Sequence, residues 1–243
     1  MDSHLAGPAD PGQTVIKRLL LIFAKQPQPG WSKTRLAADV GPGAADVLYR
    51  AFLADVASRA YQLQERLSVH IRWVHTPSTP SFAEVLDAVA PGTSTAASFV
   101  GYDTQDLTGQ QHDQLLAAES EGFLQVIIMG ADTPHVELEV LVDSFRSLDD
   151  NDVVVGPATD GGYYLLGLRS GWDLVAGLDM SSRDVRDDLV VTATHRGYSV
   201  GFAAPTMDID TAADLRELIA RSSLRAASCP ATCRAVHKLG LWA

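Results

Sequence analysis

Leu19-Leu20-Leu21-Ile22-Phe23-Ala24 is an apolar run of strand length, and the chain changes character directly after it. Pro27, Pro29 and Gly30 break the run, and Ser32-Lys33-Thr34-Arg35 then opens a helical pattern. A strand apolar enough to be covered on both faces belongs in the middle of a sheet with helices above and below. The loop that leaves it is stiffened by its prolines and delivers two cations at a helix start. Backbone N–H groups at such a start have no partner within the helix, and the helix dipole adds positive charge there. Anionic oxygens, phosphate above all, are the expected ligand. Lys33 would act as a point charge and Arg35 could hold two oxygens at once. The spacing differs from the G-x-x-x-x-G-K-[ST] of P-loop proteins, and no G-x-G-x-x-G follows the strand.

The same alternation runs through the chain. The pattern predicts strands at Lys17 to Lys25, Ser68 to His75, Ala96 to Val100, Gly122 to Met129, Asp152 to Gly156, Tyr163 to Leu168 and Tyr198 to Ala203. Between them it predicts helices at Lys33 to Asp39, Ala44 to Glu65, Pro80 to Ala90, His112 to Ser120, Val136 to Leu148, Arg183 to Arg196 and Ala212 to Arg221, the last capped by Thr211. Strands alternating with helices imply a mainly parallel sheet covered on both faces. Asp152 to Gly156 and Tyr163 to Leu168 are too close together for a crossover, so that pair is expected to be antiparallel. With 243 residues the chain reads as one domain over 17–222. Residues 1–16, rich in Gly, Pro and Asp, read as a flexible leader, and 223–243 as a mobile tail.

Charge and cysteines narrow the function. A formal net charge of −11 argues against a nucleic-acid or anionic-membrane surface but leaves room for a local cationic cleft. No apolar run reaches the ~20 residues of a membrane span, and no basic segment with an apolar stretch opens the chain, so neither a span nor a signal peptide is expected. Cys229 and Cys233 are the two cysteines, which argues against a disulfide framework and for free thiols in the cytoplasm.

In open α/β sheets, ligands bind beyond the C-terminal ends of the strands. Asp132, Asp160, Asp208 and Asp210 all fall there. Carboxylates converging on a phosphate loop suggest a divalent ion, Mg2+ or Mn2+, which takes one or two carboxylates together with phosphate oxygens and water. Asp208 is the preferred ligand of the last pair, because Asp210 also suits a helix cap. Gly161 and Gly162 would let backbone approach a ligand closely. Gln105, in a polar loop, is within reach of a substrate in this reading, and Trp31 either stacks on a base or covers the loop.

Four blocks then stand together: Phe-Ala-Lys-x-Pro-x-Pro-Gly-x-x-Lys-Thr-Arg-Leu at Phe23 to Leu36, Gly-Ala-Asp-Thr-Pro at Gly130 to Pro134, Gly-Pro-Ala-Thr-Asp-Gly-Gly-Tyr-Tyr-Leu-Leu-Gly at Gly156 to Gly167, and Asp-Ile-Asp-Thr-x-x-Asp-Leu at Asp208 to Leu215. They resemble the bacterial radical-SAM/selenodomain-associated transferase 1 family, a GT-A, nucleotide-diphospho-sugar transferase-like group that includes arsenosugar-type glycosyltransferases. Lys-Thr-Arg-Leu is also similar to an element of 2-phospholactate guanylyltransferases. The resemblance implies a GT-A fold with a Rossmann-like, mostly parallel mixed sheet. It implies nucleotide phosphate binding at Lys25, Gly30, Lys33 and Arg35, and metal binding at Asp132 with Asp208 or Asp210. It puts Asp160, Gly161 and Gly162 on the acceptor or sugar side, and makes Lys33 and Asp160 the catalytic pair. Met180-Ser181-Ser182 stands where the family has Trp-Ser-Thr, and Gln105-Asp106-Leu107-Thr108-Gly109 where it has Gly-Asp-Leu-Gly, which points to a different acceptor or to weakened activity. The expected activity is metal-dependent glycosyl transfer from a nucleotide-diphospho-sugar to a small-molecule acceptor. Its rivals are nucleotidyl transfer from a nucleoside triphosphate with release of pyrophosphate, and nucleotide binding without turnover. A homodimer is compatible with the sequence.

Overall fold

The computed structural model describes residues 16–77, 79–102, 106–180, 182–220 and 228–241. Its strands are β1 (Arg18–Ala24), β2 (His70–His75), β3 (Ala97–Gly101), β4 (Gln125–Gly130), β5 (Val153–Pro157), β6 (Tyr163–Leu168) and β7 (Val200–Phe202). Its helices are α1 (Thr34–Val40), α2 (Pro42–Leu67), α3 (Phe82–Val89), α4 (Leu107–Ser120), α5 (Leu138–Asp150), α6 (Val185–His195), α7 (Ala212–Ala220) and α8 (Pro230–Lys238).

The strands form one seven-stranded sheet in the order β3-β2-β1-β4-β6-β5-β7. Strand β1 pairs in parallel with β2 on one side and β4 on the other. Strand β6 runs antiparallel to both of its neighbours, β4 and β5, as the short connection from β5 requires. The strand order reverses between β1 and β4, and that switch point is where an open α/β sheet leaves a crevice.

Side chains alternate across a strand, so β1 supplies both cores. Leu20, Ile22 and Ala24 face the layer made by α2 and α5, where Leu48, Phe52, Val56, Leu141 and Phe145 are buried. Leu19, Leu21 and Phe23 face the opposite layer with Leu115 of α4, Leu166 and Leu168 of β6, and Leu189 of α6. Burying six consecutive apolar residues in this way fixes β1 as the central strand, at about 1.5 to 3 kcal/mol for each large side chain.

Two regions differ from the sequence pattern. Helix α4 starts at Leu107, not at His112, because the Asp106 side chain accepts a hydrogen bond from Gly109 N at 3.0 Å and caps it. The C-terminal segment, expected to be mobile, contains α8, which packs along α2. Asp55 on α2 accepts hydrogen bonds from Ala231 N, Thr232 N and the Thr232 hydroxyl at 2.8, 2.8 and 2.7 Å. Of the expected leader, residues 1–16, all but the last residue lie outside the described residues. Among the described residues no helix is long and apolar enough to cross a membrane.

Candidate active site

A cleft of about 440 Å3 opens at the switch point, above the C-terminal ends of β1 and β4. Lys25, Trp31, Lys33, Arg35, Asp132, Asp208 and Asp210 line its charged part. Tyr102, Leu107, Gln111, Tyr163 and Tyr164 line a neutral, aromatic part.

The cationic side comes from the turn after β1. Trp31 N and Ser32 N both donate to Gln28 O, at 3.0 and 3.2 Å, so the segment folds back on itself before α1. Lys25 N donates to the Tyr49 hydroxyl of α2 at 2.9 Å, which anchors the start of the loop. Lys33 takes a left-handed conformation (φ 53°, ψ 47°) that residues with a side chain adopt only rarely. That geometry turns its side chain inward instead of along α1, and only 4% of the side chain is exposed.

The acidic side is assembled from two distant segments. Ile209 N donates to Asp132 O at 3.0 Å, tying the loop after β4 to the segment before α7. Thr211 caps α7 as expected, its hydroxyl accepting from Asp214 N at 3.2 Å. Ala212 N donates to the Asp39 carboxylate at 3.1 Å, which locks α7 to α1. These bonds bring Asp132 and Asp210 to opposite sides of one ammonium group. Lys33 Nζ lies 2.9 Å from Asp132 Oδ1 and 2.8 Å from Asp210 Oδ1, over the Phe52 ring at 5.9 Å. Arg35 Nη1 lies 3.5 Å from Asp210 Oδ2.

The charges respond to this packing. Burial alone lowers the Lys33 pKa, but the Asp132 and Asp210 carboxylates outweigh it and the net shift is upward. For Asp210 burial acts upward, and Lys33, Arg35 and Lys25 together hold the net pKa below the usual carboxylate value. Asp208 is pushed up to about 7, first by burial, then by Asp132, with Asp210 and Asp160 adding to it against the opposing charge of Lys33. A desolvated carboxyl among like charges is relieved by a hard cation, and all three side chains offer oxygen donors. Side-chain oxygens of this kind are the donors that Mg2+ or Mn2+ take. Among the described residues no group of three or more His, Cys, Asp or Glu side chains is arranged to enclose a metal. An ion here would need further oxygens from its substrate.

The cleft thus gathers Lys25, Lys33, Arg35, Asp132, Asp208 and Asp210 out of the expected set. Gly30, Asp160, Gly161 and Gly162 are not among its lining residues. Gly30 sits on the exposed loop with φ +81° and open space around it. Asp160 is exposed in the β5–β6 turn, where its carboxylate accepts from Gly162 N at 2.9 Å, and it reaches the cleft only through its effect on Asp208. Gly161 and Gly162 lie in the same turn, and Gly161 makes room for the Arg183 carbonyl of its own chain instead of for a ligand. Gln105 lies outside the described residues. His135, next to these acids in sequence, is buried and bonded to the Thr206 hydroxyl at 2.8 Å.

Sequence reasoning did not find the neutral wall. Tyr163 donates to Gln111 Oε1 at 2.8 Å and approaches Met180 Sδ at 3.3 Å, and Tyr164 donates to Ala204 O at 2.8 Å. Burial raises the pKa of both hydroxyls, that of Tyr164 to about 12. Tyr49, equally buried, is pushed well up by desolvation and then by Asp132. Tyr49 follows the apolar period of α2, so its sequence position reads as core.

Comparison with known proteins places this geometry. A candidate nucleotide-diphospho-sugar transferase of Desulfovibrio desulfuricans G20 superposes with a TM-score of 0.78 at 30% identity, over 91% of this chain and 96% of that one. The 4-diphosphocytidyl-2C-methyl-D-erythritol synthase of Anaerococcus prevotii DSM 20548 gives 0.53 at 12% identity, over 82% of this chain and 92% of that one. CMP:2-keto-3-deoxy-manno-octonic acid synthetase, complexed with CTP, gives 0.50 at 11% identity, over 84% and 98% respectively. The last two share the fold alone. Comparison with curated proteins finds no match. The profile of the uncharacterised proteins conserved in bacteria, DUF2064, matches residues 61–182, half of the chain, and the chain belongs to that family.

Proposed function

We propose that the protein is a metal-dependent transferase of the GT-A type that takes a nucleotide-diphospho-sugar as donor, within the radical-SAM-associated transferase 1 group. The observation that supports this most is the meeting of Lys33 with Asp132 and Asp210 at 2.9 and 2.8 Å, in a cleft at the switch point of the sheet. In this reading Lys25, Lys33 and Arg35 hold the diphosphate, and the neutral wall of Tyr102, Gln111 and Tyr163 takes the uncharged part of the substrate. A divalent ion held by Asp132 with Asp208 or Asp210 would supply Lewis-acid neutralisation of the diphosphate. Lys33 and Arg35 stabilise the charge that develops on the nucleotide as it departs. Asp160 lies in the β5–β6 turn outside the lining of the cleft, and would orient or deprotonate the hydroxyl of an acceptor that extends to that turn.

Nucleotidyl transfer is a second reading that one observation favours. Three cations line one wall of the cleft, which suits a triphosphate. There the acceptor is a phosphorylated small molecule, and pyrophosphate leaves.

Product analysis decides between them. Incubation with Mn2+ and a panel of nucleotide sugars is expected to release nucleoside diphosphate. Pyrophosphate release from a nucleoside triphosphate and a sugar phosphate would establish the second reading instead. Asp132→Ala is expected to remove the metal stimulation of whichever activity is seen. If neither product forms and no nucleotide raises the melting temperature, the transferase reading fails.

A further inference from the structure

We infer that Lys33 is a tethered counter-ion that keeps free divalent metal out of the acidic pair, so that the cleft accepts its metal as a chelate with a nucleotide phosphate. The inference rests on the reading of the cleft as a metal and nucleotide site. Four observations carry it. The Lys33 ammonium bridges Asp132 and Asp210 at 2.9 and 2.8 Å, and so takes up an oxygen of each carboxylate that a metal would use. Its side chain is only 4% exposed, while those of the two acids are 43% and 42% exposed, so the cation lies beneath carboxylates that face the cleft. Lys33 stands at the start of α1 in a left-handed conformation (φ 53°), and its carbonyl accepts the first hydrogen bond of the helix, from Ala37 N at 2.8 Å. The spacing of the two acids is fixed separately, by the 3.0 Å bond from Ile209 N to Asp132 O.

A free ion gains little in this arrangement. It must displace an ammonium that already neutralises both carboxylates, and among the described residues the protein offers no enclosing set of three or more acidic, His or Cys ligands. A nucleotide chelate changes both terms. Its phosphate oxygens complete the coordination of the ion, and they receive the ammonium that the carboxylates release. Metal and nucleotide then each raise the affinity for the other by the same factor, because coupling between two ligands is reciprocal. Lys33 changes partner, from carboxylate to phosphate, and specificity for the chelate follows from that exchange.

The test uses the full chain and Mn2+ binding read by water-proton relaxation, which separates protein-bound ion from ion merely chelated in solution. Mn2+ alone is expected to bind wild type weakly, and to bind at least tenfold more tightly with CDP, CTP, GDP or GTP present. Lys33→Met removes the charge, and Lys33→Asn removes it with a residue that tolerates the left-handed backbone. Both are expected to bind Mn2+ alone roughly tenfold or more tightly than wild type, since a cation at contact distance no longer competes. Variants that bind Mn2+ no more tightly than wild type overturn the counter-ion role, whatever the nucleotides do. A gain in the variants with no enhancement by any nucleotide supports the counter-ion role and overturns the nucleotide reading of the cleft.

Discussion

Single residues show where sequence reading succeeds and where it stops. Lys33 and the acids Asp132 and Asp210 are all visible in the chain as site residues, but their direct pairing is not, since Asp210 lies 177 positions from Lys33. Only the fold brings them into contact, so a cation expected to await phosphate is held by carboxylates. Gly161 is the reverse case. Its freedom was legible, yet the neighbour that needs it is protein: a Cβ there would lie 2.0 Å from Arg183 O, at φ +99°. Gly161→Ala is therefore expected to cost more than about 2 kcal/mol, combining backbone strain with a clash against main chain. Gly30→Ala meets nothing within 4 Å and carries only the strain of φ +81°, about 1 kcal/mol. Urea denaturation of the two variants checks the contrast, and equal losses would mean that the turn at Arg183 gives way freely.

At the scale of elements, local signals were sufficient wherever a helix or strand carries its own start and stop. Strand β6 falls at Tyr163–Leu168 with its expected direction because a short connection leaves no other geometry. Helix α4 was read short because Gly109 looks like a loop residue. In the structure Gly109 is the residue whose N–H meets the Asp106 cap, and a Cβ there would lie 2.4 Å from Asp106 Oδ2. Helix α8 was invisible for another reason: its N-terminal cap comes from Asp55, in a different helix. Burial pushes the Asp55 carboxyl upward, and the hydrogen bonds from Thr232 and Ala231 oppose this. Asp55→Ala leaves those donors buried without a partner, which is expected to cost about 2 kcal/mol. The loss should fall on α8 first. Hydrogen exchange should show α8 amides losing protection while those of β1 keep most of theirs, and unchanged protection in α8 would show that apolar contact with α2 alone holds it.

The whole molecule places its cleft on its most buried strands. Strands β1 and β4 carry the side chains that fill both cores, and their C-terminal ends lead directly into the loops bearing Lys33 and Asp132. A ligand that bridges those loops binds the folded chain and not the unfolded one, so it must raise the free energy of global unfolding. Amides in the middle of β1 and β4, such as those of Leu21 and Ile128, are paired within the sheet and buried, and are expected to exchange only when the whole domain opens. With Mn2+ and a nucleotide at about 100 times its dissociation constant, their exchange should slow by roughly 100-fold, equivalent to about 2.7 kcal/mol. Loop amides from Lys25 to Arg35 should slow as well, through local ordering, but by an amount unrelated to that factor. The comparison separates two kinds of opening. Slowing confined to residues 25–35, with Leu21 and Ile128 unchanged, would mean that those strand amides exchange through openings in which the ligand stays bound, and not through global unfolding. Slowing of the amides of residues 25–35 by the same factor as Leu21 and Ile128 would mean that the cationic turn opens only when the central strands do, and that the strand run which sets the fold also sets the stability of the site.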